Sequence, residues 1–429
     1  GIAGLSAAMV LARANKRFLL IERGEFCGAK NVSGGVLWGS DLEKLVPNYA
    51  VEEDAAIERF VTHRRLTFVD EQSAFSIDFK SDHFAKAPYS GLIVLRAKFD
   101  EWLAAKVQET IDASSAADES FLATNILVDR VLVDDERVTG IQAGEETFQA
   151  HCVILAEGVN NLLTRQIGLQ SDYVPADHMA IGVKEVIGLG QETIEERFQL
   201  DGRAGMTNEF VGFATRGCEG GGFVYTNRDS LSLGLVLGMK DLREMGLKPY
   251  DILSDFKAHP TIRDMIQGGE VMEYSAHVVS TGDMRSMPKQ LYGDGVLIAG
   301  EAGNLLMNSG RAIQGMDYAM RSGIAAAETV IDASSDGDFS SDSLKRYQVR
   351  LDDSFVMKDL RRFQGAVHLL HDPIMYQKVP ELLCDFGRSF FTVDSEPTEK
   401  AFQLFRRTSK KYLSPWELAK LSMRAAKSL

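Results

Sequence analysis

The sequence opens with GIAGLSAAMVLARANKRFLLIERG, residues 1–24, and this stretch decides the fold. Gly1 and Gly4 stand before an alanine-rich apolar helix, predicted over 5–14, and the apolar run at 18–21 ends at Glu22. A complete dinucleotide-binding fingerprint is a strand, the glycines of G-x-G-x-x-G, a helix and a second strand that ends in an acid about 20 residues on. The stretch therefore predicts a Rossmann-type αβ unit whose first strand and first glycine are missing. An ordinary αβ turn is the alternative.

The composition is that of a soluble globular protein with two or more domains. Of the 429 residues, 45% are hydrophobic and 25% are charged, and this length exceeds the usual size of one domain. No run approaches the roughly 18 consecutive apolar residues of a membrane span. We therefore expect a cytoplasmic protein that is soluble or peripheral to a membrane.

Charge and cysteine placement argue against two classes of function. The net charge is −14, and the acidity lies in 1–340, because 341–429 holds 16 Lys and Arg against 11 Asp and Glu. An acidic body without a basic stripe argues against nucleic-acid binding. The cysteines, Cys27, Cys152, Cys218 and Cys384, are far apart and form no CxxC pair, so we predict reduced thiols and no metal centre.

Patterns along the chain predict an αβ framework with a strand-rich insert. Alternation around a turn predicts a hairpin over 59–79, and helical spacing predicts a helix over 94–111. Short strands over 126–158 end in the apolar run VILA, which is typical of a buried parallel strand. Strands among glycines with one helix are predicted over 175–287, then a strand and a helix over 295–331. Residues 341–429 are predicted to be almost entirely helical.

Two further segments carry residues that suit a phosphate-bearing ligand. In LIAGEAGNLLMNSGRAIQGMD, an apolar strand runs into a loop that holds Gly300, Glu301, Asn308 and Gly310. Glycines at this density between a strand and a helix let the backbone approach a ligand closely. Arg96, in LRAKFDEWL, is the other candidate, and its alternative is a solvent-exposed arginine on a helix surface.

The combination resembles a family of FAD-dependent oxidoreductases. The half fingerprint, the LRxxFDxWL helix, the strand end Ala156-Glu157-Gly158 and the late AGE segment are similar to enzymes that include aromatic hydroxylases and geranylgeranyl reductases. The strings ERGEFCGAKNVSGG, GVKEVIGL, GGGFVYTNRDSLSLGLVLG, EYSAHVV and NSGRAIQGMD resemble the electron transfer flavoprotein–quinone oxidoreductase family, in its bacterial Fix-type (FixC) branch. This resemblance covers essentially the whole chain. It implies an FAD-dependent oxidoreductase that passes electrons from an electron transfer flavoprotein, or a ferredoxin-like partner, to a quinone.

The implied fold is α/β. A Rossmann-like FAD-binding domain of the glutathione-reductase and aromatic-hydroxylase type would comprise 1–58, 90–174 and 288–335. A β-rich substrate or quinone domain would comprise 59–89 and 175–287, and a helical C-terminal region 336–429. Because the missing first strand would be central in the parallel sheet, we expect the natural protein to be longer by roughly ten residues at its N-terminus. We also expect the 429-residue chain to bind FAD poorly.

The resemblance further implies which residues hold FAD. Gly1 and Gly4 would cradle the pyrophosphate, and Glu22 would bind the adenosine ribose. The backbone of Val128 would face the adenine, and Arg96 would steady the cofactor. Lys30, Asn31, Gly34 and Gly35 would border the flavin, and the remaining cofactor-binding positions are Arg23, Ala156, Gly158, Gly300, Glu301, Asn308 and Gly310.

Two departures from the family pattern matter. Position 301 is Glu where the superfamily usually has Asp, so an extra methylene must fit beside the cofactor. Mitochondrial-type members carry a cysteine-rich C-terminal segment for an iron–sulfur cluster, whereas this chain has only Cys384 there. The cluster would then come from a separate ferredoxin-like protein.

Reduction of a quinone needs protons and access to a membrane. The resemblance places His277 and Tyr225 where they could relay protons; the alternatives are a structural histidine and a strand tyrosine. Residues 400–429 contain eight Lys and Arg and one acid, interleaved with Phe402, Phe405, Tyr412, Leu413, Trp416 and Leu421. This pattern predicts peripheral contact with the inner face of the cytoplasmic membrane, or else a terminal helix that packs its apolar side on the body.

Other functions stay open at this stage. A geranylgeranyl-reductase-like enzyme would reduce an isoprenoid double bond, and a flavin hydroxylase would use NAD(P)H and oxygen. A truncated relic that binds no FAD is a further alternative.

Overall fold

The computed structural model of the protein describes residues 1–30, 35–171, 173–310 and 312–428. The α-helices in these ranges are α1 (Ile2–Arg13), α2 (Asp41–Leu45), α3 (Arg96–Asp112), α4 (Leu162–Gln166), α5 (Gln191–Phe198), α6 (Met239–Met245), α7 (Pro249–Ala258), α8 (Pro260–Ile266), α9 (Met316–Asp336), α10 (Ser341–Leu344), α11 (Arg346–Asp353), α12 (Phe355–Arg362), α13 (Gln364–Leu370), α14 (Val379–Phe391), α15 (Ala401–Tyr412) and α16 (Pro415–Ser428). The strands are β1 (Leu19–Ile21), β2 (Val36–Trp38), β3 (Arg59–Val69), β4 (Ala74–Lys80), β5 (Gly91–Ile93), β6 (Phe121–Ala123), β7 (Arg130–Asp134), β8 (Arg137–Ala143), β9 (Glu146–Gln149), β10 (Val153–Leu155), β11 (Met179–Gly188), β12 (Ala204–Gly212), β13 (Gly220–Thr226), β14 (Ser230–Gly238), β15 (Glu270–Ser280), β16 (Tyr292–Gly293), β17 (Val296–Ile298), β18 (Met307–Asn308) and β19 (Ile313–Gln314).

The helix and the strand predicted in the opening stretch are both present. Helix α1 begins three residues earlier than predicted and buries nearly all its side chains, because it lies between α3 and α9. The approach of α9 depends on Gly323, since a Cβ there would overlap the carbonyl oxygen of Ala3. Strand β1 pairs in parallel with β6, so the opening stretch forms one edge of a small parallel layer.

A second small sheet contains three strands. The predicted VILA strand is β10, which pairs in parallel with β17, and β16 pairs with β17 from the far side. Within the described residues β1 and β10 each have one strand neighbour, and both strands line the same cavity. The prediction that a further strand belongs between these two edges stays a prediction.

The largest element is a nine-stranded mixed sheet. Its strands follow the order β15-β11-β14-β13-β12-β3-β5-β2, with β4 beside β3, and the predicted hairpin over 59–79 is the β3–β4 pair. Strand period two gives the sheet two different faces. Leu231, Leu233, Leu235 and Leu237 of β14 are buried in a hydrophobic core with Phe256 of α7. Val236 and Gly238, which alternate with these leucines, line the cavity described below.

The C-terminal region is helical, as predicted for 341–429. It comprises α10–α16 and a π-helical turn, Ile374–Lys378. Helix α14 packs on β3 and β4, and α15 packs on α14. None of the helices in the described part of the chain is long and apolar enough to cross a bilayer.

The predicted domain boundaries stay a prediction, although the sheet crosses one of them. Strands β2 and β5 fall in ranges assigned to the FAD-binding domain. They nevertheless pair with each other, and β5 pairs with β3, so both belong to the large sheet. Edge-to-edge pairing of this kind depends on distant segments, which local sequence patterns do not reveal.

Candidate functional site

One cavity collects every described residue that the sequence analysis assigned to cofactor or proton transfer. Its volume is about 2190 Å³, well above the roughly 300–1,000 Å³ typical of a small-molecule pocket. The predicted residues that line it are Gly1, Gly4, Glu22, Arg23, Lys30, Gly35, Arg96, Val128, Ala156, Gly158, Tyr225, His277, Gly300, Glu301, Asn308 and Gly310. Asn31 and Gly34 lie outside the described residues. A space this large can hold a cofactor together with a substrate.

The first wall is built by the start of α1 and the end of β1. A Cβ on Gly4 would lie 3.2 Å from Leu20 Cδ1 and 3.6 Å from Ala156 Cβ, so the helix start sits close to both neighbouring strands. Glu22 accepts a hydrogen bond from the Gly24 amide at 2.8 Å, and its other carboxylate oxygen lies 3.4 Å from the amino group of Gly1. The carboxylate is thereby fixed beside the N-terminus of α1.

The second wall follows β17. Gly300 has φ +66°, a conformation that favours glycine, and a Cβ there would lie 3.1 Å from Ala3 Cβ. The Gly300 amide donates to Ser322 Oγ at 2.9 Å, which ties the loop to α9. The loop after β17 and the N-terminal end of α1 therefore meet at one place, although about 300 residues separate them in the sequence.

Arg96 is a partly enclosed cation in this cavity, which contradicts the alternative of an arginine in solvent. Its Nε and Nη2 donate to the two carboxylate oxygens of Asp100, each at 2.9 Å, and the Arg96 side chain is 12% exposed. Burial lowers the pKa of Arg96, but Asp100 and then Glu301 outweigh burial and raise it. The cavity thus holds a permanent positive charge that is already oriented by a fully buried carboxylate.

Glu301 faces the same space from the loop after β17. Its Oε1 accepts a hydrogen bond from the Ser280 amide at 3.2 Å. Burial raises the pKa of Glu301, and the Ser280 hydrogen bond and Arg96 oppose that rise. Nearby, the hydroxyls of Ser275 and Thr281 are buried and have no hydrogen-bond partner within the described residues, while both residues line the cavity. Buried polar groups normally find a partner, so these two hydroxyls suit a bound ligand.

The large sheet provides the third wall and carries both predicted proton-relay residues. His277 lies on β15 opposite Gly182 of β11, and burial, followed by Arg23 and Arg96, lowers the pKa of His277. The ring of Tyr225 lies against the loop after β1, since a Cβ on Gly35 would be 2.5 Å from Tyr225 Cδ2. The predicted roles of His277 and Tyr225 in proton transfer stay predictions.

Two ionisable residues of this wall were missed by the sequence analysis. Lys184 on β11 and Glu209 on β12 both line the cavity. Alternation along these strands marks them as cavity-facing only once it is known that Val183 and Phe210 face the hydrophobic core. The alternation of residues along each strand could have divided Lys184 and Glu209 from the core residues. The sequence does not tell which face of the sheet is covered by helices.

Comparisons with known proteins agree with this arrangement. Residues 179–279 match the family described as ETF-QO, ubiquinone-binding, and residues 366–429 match the ETF-QO/FixC family C-terminal domain. Protein FixC of Salmonella typhi is 42% identical over 411 residues, covering 96% of this chain and 93% of that protein. The probable electron transfer flavoprotein-quinone oxidoreductase YdiS of Escherichia coli is 39% identical over 414 residues, with the same two coverages.

The chain belongs to the ETF-QO/FixC family. The predicted family is confirmed, and with it the oxidoreductase class. The ubiquinone-binding match spans β11 to β15, the strands that form the third wall of the cavity. The segment that matches the ubiquinone-binding family therefore includes the strands that carry His277 and Tyr225.

Solved structures support the fold of this family member. A geranylgeranyl bacteriochlorophyll reductase-like protein from Thermoplasma acidophilum has a TM-score of 0.71 at 17% identity, with 99% of this chain and 97% of that chain covered. A probable FAD-dependent monooxygenase from Pseudomonas aeruginosa has a TM-score of 0.58 at 15% identity, with coverages of 87% and 95%. Likeness at such low identity concerns the fold alone. It confirms the predicted α/β fold with a Rossmann-like domain and a helical C-terminal region.

The cysteines do not gather into a cluster. Cys27, Cys218 and Cys384 are buried, Cys152 is partly buried, and all four are free thiols. Across the ranges that the structure describes, no group of three or more His, Cys, Asp or Glu side chains is placed to hold a metal ion.

Proposed function

We propose that this member of the ETF-QO/FixC family is an FAD-dependent oxidoreductase that passes electrons from an electron transfer flavoprotein to a quinone. One observation carries the proposal: a single cavity joins the residues predicted to bind FAD to the sheet face that matches a ubiquinone-binding family. A cofactor and a quinone in one continuous space can exchange electrons directly.

The residues that line the cavity fit FAD. The start of α1 directs backbone amides and the positive end of its dipole into the cavity, which suits a pyrophosphate. Glu22 is an acceptor held at the end of β1, where a ribose hydroxyl would donate to it. Arg96 and the unpartnered hydroxyls of Ser275 and Thr281 offer further contacts.

Each predicted cofactor residue keeps its expected part in this proposal. Gly1 and Gly4 hold the pyrophosphate, Glu22 the ribose, and the Val128 backbone the adenine. Arg96 steadies the cofactor, Glu301 holds its ribityl or pyrophosphate region, and Asn308 and Gly310 lie near the isoalloxazine ring. The residues proposed to border the flavin are Lys30, Asn31, Gly34 and Gly35, and the remaining cofactor-binding positions are Arg23, Ala156, Gly158 and Gly300. FAD supplies electron transfer in one-electron or two-electron steps, and the protein sets its position and its electrostatic surroundings.

The electron donor is proposed from the family. An electron transfer flavoprotein would deliver electrons to the flavin, and a ferredoxin-like protein would supply the iron–sulfur cluster for which this chain has too few cysteines. The only C-terminal cysteine, Cys384, is buried and lies near the carbonyl oxygens of Phe68 and Ser73 rather than near other thiols.

A membrane quinone would reach this cavity from the bilayer surface, and the C-terminal helices offer a surface for that contact. Phe402 of α15 and Trp416 of α16 are 76% and 73% exposed. Leu404 and Leu413 are buried instead, so α15 packs one side on the body and leaves the other side free. Some apolar residues of 400–429 are thus packed and others are exposed. The proposed contact with an anionic membrane at the cytoplasmic side rests on the exposed ones.

The membrane contact is tested with liposome flotation. We expect Phe402→Ser combined with Trp416→Ser to weaken flotation with anionic vesicles several-fold, because interfacial aromatics contribute to membrane affinity. Val51→Ser is the control, since Val51 is 81% exposed on another part of the chain. Equal flotation of the double variant and the control would contradict the contact.

The proposed reaction is tested with purified protein in two steps. The cofactor is tested by the flavin absorbance band of the purified protein, and by identifying the flavin as FAD after it is released. Colourless protein that does not take up added FAD would favour the alternative of a truncated relic that binds no FAD. We then expect reduced electron transfer flavoprotein to drive steady reduction of a water-soluble quinone analogue. NADPH-dependent oxygen uptake would indicate a hydroxylase, and reduction of an isoprenoid double bond would indicate a reductase of the geranylgeranyl type.

A further inference from the structure

The cavity-facing side of the large sheet carries few ionisable side chains. Arg64 on β3 lies on this side, opposite Thr207, and those that line the cavity are Lys184 on β11, Glu209 on β12, Tyr225 on β13 and His277 on β15. The sequence analysis considered only the last two. Of the four that line the cavity, Glu209 is the carboxylic acid.

Glu209 projects from the middle of the sheet into the space where a quinone would lie. It stands directly opposite Phe223 on β13 and beside Leu66 on β3, and all three residues line the cavity. Its own strand neighbour Phe210 is fully buried on the other face. The carboxyl group therefore faces the cavity beside ring and aliphatic side chains, with Thr207 and Arg64 as polar neighbours on the same side of the sheet.

Tyr225 connects this position to the flavin side. It lies opposite Thr207 on β12, one diagonal step from Glu209, and its ring stacks on Phe223 with 4.8 Å between centroids. The same Tyr225 ring touches Gly35, which borders the flavin in the proposed function. Diagonal neighbours across a strand pair are roughly 7–8 Å apart, so Tyr225 is placed between Glu209 and the loop that carries Gly35.

The charged surroundings favour Glu209 as a proton carrier near neutral pH. Burial raises its pKa to about 7, and Arg64 on β3 opposes the rise. Burial, with Glu209, raises the pKa of Tyr225, whereas burial lowers the pKa of Lys184 and that of His277. The π-helical turn packs on β12 and carries two further ionisable residues, Tyr376 and Lys378. The Tyr376 hydroxyl lies near Asp241, and Lys378 forms an ion pair with Glu417.

We propose that Glu209 donates a proton to a carbonyl oxygen of the quinone as it becomes a quinol. This inference rests on the proposed function. A quinone gains two electrons and two protons in the reaction: the reduced cofactor supplies both electrons and one proton, and Glu209 supplies the other. The Glu209 carboxylate then takes a proton from solvent and is ready for the next turnover.

The test separates the two half-reactions in the flavin-loaded protein by stopped flow. In Glu209→Gln we expect reduction of the flavin by electron transfer flavoprotein at the wild-type rate, and its reoxidation by a quinone analogue roughly 100-fold slower, within the range for general acids. The wild-type reoxidation rate should fall as pH rises through about 7, with the pKa of Glu209, and the variant should show no such step. Glu209→Asp keeps a carboxyl group and should recover part of the rate and the pH step.

The matched control is Glu273→Gln, an exposed carboxylate on β15 outside the cavity lining. It should leave both half-reactions and the pH profile unchanged. Reoxidation of Glu209→Gln at the wild-type rate, with the wild-type pH profile, would overturn the inference while leaving the proposed function intact. A wild-type protein whose reduced flavin no quinone reoxidises would overturn the proposed function itself. The flavin absorbance and the melting temperature are measured for both proteins. Equal values show that wild type and Glu209→Gln are equally folded and carry the same amount of flavin.

Discussion

Asp100→Asn tests whether the cavity depends on the charge pair beneath it. Asp100 is fully buried and accepts both hydrogen bonds from Arg96, so the substitution leaves a cation with no paired charge at its bidentate contact. Removing one partner of a buried pair costs about 3–5 kcal/mol. The Arg96 side chain is 12% exposed, and Asn at position 100 would still offer one hydrogen-bond acceptor. We therefore expect the free energy of unfolding to fall by about 3 kcal/mol, the lower end of that range.

The assay is thermal unfolding of the cofactor-free protein followed by circular dichroism. A shift of about 2–4 °C per kcal/mol gives a fall in melting temperature of roughly 6–12 °C. Asp112→Asn is the control on the same helix, because Asp112 is exposed and accepts only from Gln108, so its effect should stay within about 0.5 kcal/mol. Equal shifts in the two variants would refute the claim that the Arg96 pair supports the cavity.

Two further predictions concern α9. Gly323→Val should lower the melting temperature by several degrees and the free energy of unfolding by about 3 kcal/mol, because the new side chain would overlap the Ala3 carbonyl. Ser335 is exposed on the same helix, so Ser335→Val should leave the melting temperature nearly unchanged. Equal shifts in the two variants would contradict the close crossing of α1 and α9. Asp317→Asn should stabilise the protein at pH 8 by about 2–4 kcal/mol and much less at pH 4.5 in urea unfolding. Burial raises the pKa of Asp317 to about 7, so the folded state retains a proton that the unfolded chain loses, and stability falls as pH rises between the two pKa values. A gain that does not depend on pH would contradict this assignment.

Local patterns were enough to predict which glycine-containing segments line the cavity. Gly1 and Gly4 stand at the start of an apolar helix, and Gly300 follows an apolar strand. The structure brings all three glycines to one cavity. Helix α1 and strand β1 were predicted because their residues repeat at the helical and the strand period. These signals depend on neighbours in the sequence and need no knowledge of the rest of the fold.

The other half depends on contacts between distant segments. The pairing of Arg96 with Asp100 is local, but the approach of Glu301 to Arg96 joins positions more than 200 residues apart. Likewise, Glu209 faces the cavity because the helices α5–α8 cover the opposite face of the sheet. Strand alternation divides residues into two sets, and only tertiary packing decides which set meets solvent, core or ligand.

The order in which the cavity walls are synthesised also limits when the cavity can form. Gly1 and Tyr376 line the same space, so its wall is incomplete until nearly all of the chain has been synthesised. At about 5–20 residues per second, the first glycine waits roughly 20–80 s for the last wall segment. In the proposed function the flavin would be loaded only after the loop that carries Gly300 and Gly310 has been synthesised, and the nascent chain must keep its cofactor-facing surfaces from aggregating until then.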